Sequence, residues 1–469
     1  MNSKKAFAQS INEYYKQAYP LNRGSGDGNL FRFFVERNLS LLKEKASLNY
    51  VLPSALMLEE GSLALRTEIL ENKNLAFFYS FENREGIFED VHRSYKFALM
   101  QVKNTKAKNH TIKTMFYQTK VESIYDKDNI IKLTLKDIKT LSPNQLALQE
   151  VRSKKDLEIL RKCYEAFEPL SLEWLDFRRE LDMTNDKDLF IESYREGLFP
   201  LFEGKMIHQF SAYFSEPQYF LNPSAFDKRL KSKEIYRLKQ DLGLETKEYE
   251  RLIESSYPQI SKEKAENAFI TYDRNFYRLG FRAVASDTNE RTAIFSLLPK
   301  NVGCGNTLWV SVPKQYILDS HSHITIKPVS TKRILFALGI FNALVVDFIA
   351  RSMVQIHLNK TYISRIPLPQ PSDEEIERNY AFIYKTALIL QLYNDKTGQF
   401  KELQDKYAIK NNEIPNTQKS YDTLRAKLDI HIAKLYGLSK TEFAILLESF
   451  KVLKSKQPEY IALLQSLWE

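Results

Sequence analysis

GSGDGNLFRFFVERNLSLLKEKASLNYVLPSALMLEEGSLALRTEIL, residues 24–70, is the stretch on which the fold turns. It opens with a glycine-rich turn. Phe31, Phe34, Val35, Leu39 and Leu42 then recur at helical spacing, which predicts a helix over 30–43. SLNYVL (47–52) reads as a strand, stopped by Pro53, which has no amide to offer a ladder. Residues 62–71 read as a second helix, and 76–81 and 97–102 (FALMQV) as two more strands. Strands alternating with helices indicate part of an α/β sheet. Upstream, residues 1–20 are polar and aromatic and read as an irregular arm.

Composition narrows the function classes. At 469 residues the chain exceeds what one core usually supports. Its formal charge of +9 favours a polyanionic partner such as nucleic acid. Between Arg93 and Lys120 there are seven Lys/Arg and no Asp or Glu. The two cysteines, Cys163 and Cys304, lie far apart, with no CxxC pair and no His/Cys spacing for a metal. This points to a reducing, cytoplasmic setting without structural zinc. The N-terminus, MNSKKAFAQSINEYYKQ, has no apolar signal-peptide core. The apolar run 334–349 is interrupted by Asn342 and Asp347 and falls short of the ~20 residues of a membrane span, so it reads as one buried helix.

Further along, the pattern changes between about 105 and 150, and helical spacing resumes over 155–167. A mixed region runs to 370, with a long charged helix around 225–256 and strand-like runs at 268–272 and 307–312. IPLPQPSD (366–373) reads as a linker, and 373–469 as almost purely helical. The expected fold is therefore α/β followed by α+β, in three parts: 1–115, 150–370 and 373–469.

Residues 24–70 resemble the second half of the catalytic domain of γ-class adenine-N6 DNA methyltransferases, the part that follows their Asn-Pro-Pro-Tyr motif. Asn29, Leu30, Phe31 and Phe34 stand where that family begins a helix, and Pro53 and Ser54 where it ends the next strand. One departure is LLKEKAS (41–47), which has no glycine in the turn. Phe88, in GIFEDVHRSYKFALMQV (86–102), matches the aromatic before the last strands. The resemblance implies a partial Rossmann-like methyltransferase sheet. It also implies that Phe34 packs on the adenine ring of S-adenosylmethionine, and that Phe88 stacks on a target adenine flipped from the duplex. No Asn-Pro-Pro-aromatic tetrad occurs in the sequence, and Asn222-Pro223-Ser224 is no substitute. The expectation is that catalytic groups and the cofactor loop belong to an upstream-encoded N-terminal half, that no catalytic residue lies in this chain, and that S-adenosylmethionine binds only with that half.

Three further stretches resemble the DNA-recognition half of type IIG restriction–modification enzymes: LFPLFEGKMIHQF (198–210), YRLGFRAVASDTNERTAIFSLLPK (277–300) and LRAKLDIHIAKLYGLSKTEFAILLESF (424–450). In the first, Lys205 and His208 suit phosphate contact, and Gln209 could donate and accept at an adenine edge. In the second, Arg278 and Arg282 share a face of an extended strand and, with Asn289 and Arg291, suit a basic strip along the phosphate backbone. Asn342 and Asp347 read as architectural, with Asp347 and Arg351 spaced to pair. In the third, Gly437 reads as a helix C-cap, and Ser439 with Glu442 as a capping box. The leading expectation is site-specific recognition of double-stranded DNA as part of an adenine-N6 methyltransferase of a restriction–modification system. The alternative is a non-enzymatic specificity subunit that delivers a separate methyltransferase or nuclease.

Overall fold

The computed structural model describes residues 2–23, 29–106, 111–285, 289–354 and 357–468. The glycine-rich turn expected at 24–28 lies outside them, as does Thr288. The chain forms two compact units, Met1–Glu165 and Ala166–Glu469. Both mix helices and strands, as the sequence led one to expect.

The first unit runs α1 (Asn2–Ala18), α2 (Leu30–Leu41), β1 (Ser47–Pro53), α3 (Ala55–Leu58), α4 (Leu63–Thr67), β2 (Asn74–Glu82), β3 (Lys96–Lys103), β4 (Thr111–Gln118), β5 (Ile131–Thr134), α5 (Leu135–Leu141) and α6 (Lys154–Ala166). Its five-stranded sheet has the order β1-β3-β2-β4-β5. β3 is antiparallel to both β1 and β2, so those two run parallel on either side of it; β4 is parallel to β2. Among the described residues β1 lies at the edge and pairs only with β3. The side chains of Leu75, Phe78, Met100 and Val102 are buried in the unit's core.

Two local features differ from the sequence reading. Residues 1–20 are not an irregular arm: α1 is a helix whose Tyr15 ring stacks on Phe33 of α2, 4.7 Å away at 9°. Phe7, Ile11, Tyr15 and Tyr19 recur every four residues, a helical period hidden among polar neighbours. In the glycine-free turn before β1, Lys45 itself takes the left-handed conformation, at φ 63°. A side chain there costs about 1–2 kcal/mol. The Lys45 amide is held by the Asn104 carbonyl at 3.0 Å.

The second unit begins with β6 (Phe177–Arg178), β7 (Phe199–Phe202), β8 (Tyr219–Leu221), α7 (Pro223–Asp241), α8 (Thr246–Ser256) and α9 (Lys262–Phe269). β9 (Arg278–Arg282), β10 (Phe295–Leu298), β11 (Gly303–Cys304), β12 (Leu308–Ser311), β13 (Lys314–Leu318) and β14 (Ile324–Pro328) follow. The rest is helical, including α10 (Thr331–Phe341) and α11 (Leu344–Arg351). The strands form sheets ordered β10-β9-β12-β6 and β11-β7-β8, and a separate hairpin, β13–β14. The single charged helix expected at 225–256 is two, broken where Gly243 turns left-handed at φ 64°. The strand expected at 268–272 is instead the end of α9 and a loop. The apolar run 334–349 is also two helices, α10 and α11, bent by 66° and buried throughout. Among the described residues no single helix is long and apolar enough to cross a membrane.

That bend is made by polar groups. Asn342 pairs its side-chain amide with the main chain of Phe295, donating to the carbonyl and accepting from the amide, both at 3.0 Å. Asp347, fully buried, accepts from Arg291 Nε at 2.5 Å, from the Thr292 and Ala293 amides at 3.0 and 3.2 Å, and from Arg351 Nε at 3.3 Å. The Phe295 and Phe341 rings stack at 4.5 Å alongside. A second polar cluster ties α7 to β6 and β13. Glu234 and Asp273 sit among Arg178, Arg237 and Lys314, with Arg178 at 2.6 Å from Glu234 and Lys314 at 2.9 Å from the same carboxylate. Burial would raise the Asp273 pKa; Arg178, Lys314 and Arg237 outweigh it and hold the carboxyl well below the usual range. The C-terminal caps are as expected: Gly437 is left-handed at φ 73°, and Ser439 and Glu442 form a capping box.

Removing Asp347 strands two buried guanidinium groups and two amides. Asp347→Ala is expected to lower stability by about 3–5 kcal/mol, read as a drop in the urea unfolding midpoint with an unchanged slope.

Candidate functional site

In the first unit the loop between β2 and β3 is built to hold one aromatic ring outward. Asn83, fully buried, donates through Nδ2 to the Phe88 carbonyl at 2.9 Å and the Val91 carbonyl at 2.8 Å, and accepts from the Phe88 amide at 2.9 Å. Gly86 makes the turn at φ 74°, and the Arg93 guanidinium occupies the space a Cβ would fill. The Phe88 ring sits edge-on against Phe97 at 4.9 Å, and Phe97 in turn stacks on Phe81 at 5.2 Å. Phe88 remains 41% exposed. Truncating it therefore removes an edge contact worth about 1 kcal/mol rather than a core residue. Asn83 had no motif to announce it; the one hint in the sequence is an asparagine three residues before a glycine.

Phe34 is 63% exposed on α2, in a stripe with Leu30 and Leu41, while Phe33, Val35 and Leu39 face the core. Phe7 and Tyr14 on α1 and Val51 on the edge strand β1 are exposed as well. The Phe34 carbonyl accepts from the Tyr50 hydroxyl at 3.3 Å, which fixes α2 to β1.

In the second unit the seven residues expected to face DNA separate into three groups. Lys205 and Asn289 are exposed. Lys205 pairs with Glu203 at 3.0 Å and Gln218 at 3.1 Å. His208 and Arg282 are half-buried: the imidazole stacks on Phe214 at 4.8 Å, and Arg282 Nε donates to the Ile207 carbonyl at 2.8 Å. Gln209, Arg278 and Arg291 are buried, which removes them from any surface a duplex could reach. Gln209 donates to the Asn342 carbonyl at 3.2 Å, Arg278 pairs with Glu180 and donates to the Val302 carbonyl, and Arg291 serves Asp347. Their hydrogen-bonding groups satisfy partners inside the fold. Of the residues after α11, Asn359 caps a helix and Lys360 pairs with Asp176 at 2.5 Å.

Residues 2–88 match the family model described as Eco57I restriction-modification methylase. That stretch is similar to restriction–modification methylases, as the motifs around Phe34 and Phe88 led one to expect. It contains α1, α2, β1, β2 and the clamped Phe88. No curated protein matches the chain. Similar solved structures include the Type IIL restriction-modification enzyme MmeI in complex with DNA, at 11% identity and a TM-score of 0.48, covering 94% of this chain and 54% of that one. Another is the type IIG restriction endonuclease BpuSI, at 14% identity and a TM-score of 0.32, covering 96% and 53%. The chain thus spans about half the length of either protein.

The His208 environment gives a pH test. Burial, then the charges of Arg282, Arg291 and Arg425, lower its pKa from 6.5 to about 4. Between those values the unfolded state binds more protons than the folded one, so stability falls as pH drops through the window. His208→Gln is expected to flatten that fall, measured as thermal midpoints from pH 7 to pH 4.

Proposed function

We propose that this chain is the DNA-recognising part of an S-adenosylmethionine-dependent adenine-N6 DNA methyltransferase of a restriction–modification system. One observation carries the reading: within the stretch that matches the methylase family, a buried asparagine clamps a loop so that Phe88 presents an open aromatic face. A base turned out of a duplex loses its stacking, worth a few kcal/mol, and such a face restores part of it.

The cofactor supplies the methyl group when bound. This chain's contribution is Phe34, whose exposed ring offers the flat apolar surface that an adenine ring packs against. The reading includes an upstream-encoded methyltransferase half as partner. The unpaired edge of β1 and the exposed apolar side chains of Leu30, Phe34, Leu41 and Val51 support it, because a strand and a packed layer there would satisfy both. For double-stranded DNA the exposed Lys205 and Asn289 and the half-buried His208 and Arg282 remain the candidates in the second unit. The net charge of +9 suits a phosphate backbone.

The test is co-expression with the upstream-encoded methyltransferase segment, followed by incorporation of labelled methyl groups into duplex DNA. The pair is expected to methylate adenine, and Phe88→Ala to reduce incorporation by about a hundredfold or more while binding holds. A stable, DNA-bound pair that transfers no methyl group overturns the methyltransferase reading in favour of the non-enzymatic specificity subunit.

A further inference from the structure

The second unit contains a satellite core of its own. Leu238, Tyr249, Ile253, Ala265, Phe269 and Ile270, from α7, α8 and α9, close around Tyr316 and Ile324 of the β13–β14 hairpin. The hairpin is paired to no other strand among the described residues, and its register runs from Lys314 opposite Pro328 to Leu318 opposite Ile324.

Its root is fixed. The Lys314 ammonium sits in the buried cluster with Glu234 and Asp273. The Tyr316 hydroxyl donates to Glu234 at 3.1 Å, and the Tyr316 amide donates to Asp241 at 2.9 Å. Its tip faces solvent: the six residues from Leu318 to His323 are all exposed.

The tip is nevertheless ordered by its own chemistry. The Asp319 carboxylate accepts from the His321 amide at 2.8 Å and the His323 amide at 2.9 Å, and the Asp319 amide donates to the His323 carbonyl at 3.0 Å. Those two amides, His323 first, hold the Asp319 carboxyl below its ordinary range. Ser322 turns left-handed at φ 61°. The Tyr257 ring, at the end of α8, lies 6.3 Å from the His323 ring and braces one side. The result is that both imidazoles stand on the same side, 6.2 Å apart and 30° from parallel, beside the Ser320 hydroxyl. The single acid of the tip gives Oδ1 to these two amides and turns Oδ2 toward His323 Nδ1 at 3.6 Å, so it is engaged within the tip, whose other polar side chains are hydroxyls and imidazoles. Gln315 and Lys327, opposite one another on the ribbon, are exposed behind them.

We propose that the β13–β14 hairpin is the DNA-groove element of this chain, with His321, His323 and Ser320 contacting base edges or adjacent phosphates. The assignment rests on the DNA-recognition reading above. A two-stranded ribbon is narrow enough to enter a major groove about 12 Å wide. Imidazoles and hydroxyls both donate and accept, which matches the mixed pattern on base edges there. A rooted ribbon with a self-braced tip also meets the need for contact groups whose positions are set before the duplex arrives. Neither histidine belongs to the stretches that first drew attention as DNA-facing.

The test uses the full chain and a randomised duplex library. Wild-type protein is expected to enrich a defined sequence. The His321→Ala/His323→Ala variant should lose about tenfold in affinity for that sequence, while its affinity for bulk duplex falls much less. Re-selection with the variant should lose preference at a few adjacent positions only. Thermal unfolding of the variant at the wild-type midpoint confirms that the exposed tip was altered without loss of the fold. An unchanged enriched sequence with unchanged affinity overturns the hairpin assignment and leaves DNA recognition standing. Wild-type protein that binds no duplex overturns both.

Discussion

Asp347 is the group around which the second unit is organised. A carboxylate with no exposure is unfavourable unless every lone pair is used, and here two guanidinium groups and two main-chain amides use them. The amides belong to the segment entering β10, and Arg351 continues the helix that Asp347 lies on. One side chain thus fixes the segment entering a strand to a helix and is shared between two arginines. Asn342 does the same work five residues earlier, imitating a strand neighbour for Phe295. Together they explain why the apolar run breaks into two helices. A straight helix would carry Asn342 and Asp347 away from residues 291–295, the segment running into β10 that bonds to both.

This arrangement also explains which expectations from sequence held and which did not. Signals that act within four residues were legible: the Ser439–Glu442 capping box, Gly437, the Asp347–Arg351 pair, and the spacing of α2 and β1. Gly243 was legible as a glycine but not as a helix break, because charged residues continue on both sides. Arg278, Arg291 and Gln209 were misread for a different reason. An arginine that grips a phosphate and one that grips a buried carboxylate use the same donors. What separates them is a partner 98 residues away for Arg278 and 56 for Arg291. No local pattern records that distance.

Strand order was likewise beyond local reading. The three strands of the first hundred or so residues could be located from short apolar runs bounded by polar sequence. That β3 would insert antiparallel between β1 and β2 depends on side chains from three strands sharing one core. Lys45 shows the converse case. The absence of a glycine in its turn was visible, but the geometry it left open is decided by Asn104, which both accepts the Lys45 amide and donates to the Leu42 carbonyl. Tertiary bonding there holds a backbone that local preference opposes.

The Phe88 loop joins these two lessons. Its aromatic was found from a motif, yet its exposure follows from Asn83, which no motif marked. A large apolar ring left to itself packs inward, since burial is worth about 2–3 kcal/mol. Here the main chain on both sides of the ring is tied to one buried amide, and Gly86 together with Arg93 closes the turn, so the ring can reach Phe97 only by its edge. The fold therefore forgoes part of that burial to keep a flat face open. Such a loss persists where the surrounding hydrogen bonds over-determine the conformation, and three bonds from a single asparagine do so. An aromatic held open in this way offers its exposed surface without rearrangement, and under the function proposed above that is what a base extruded from its stack requires.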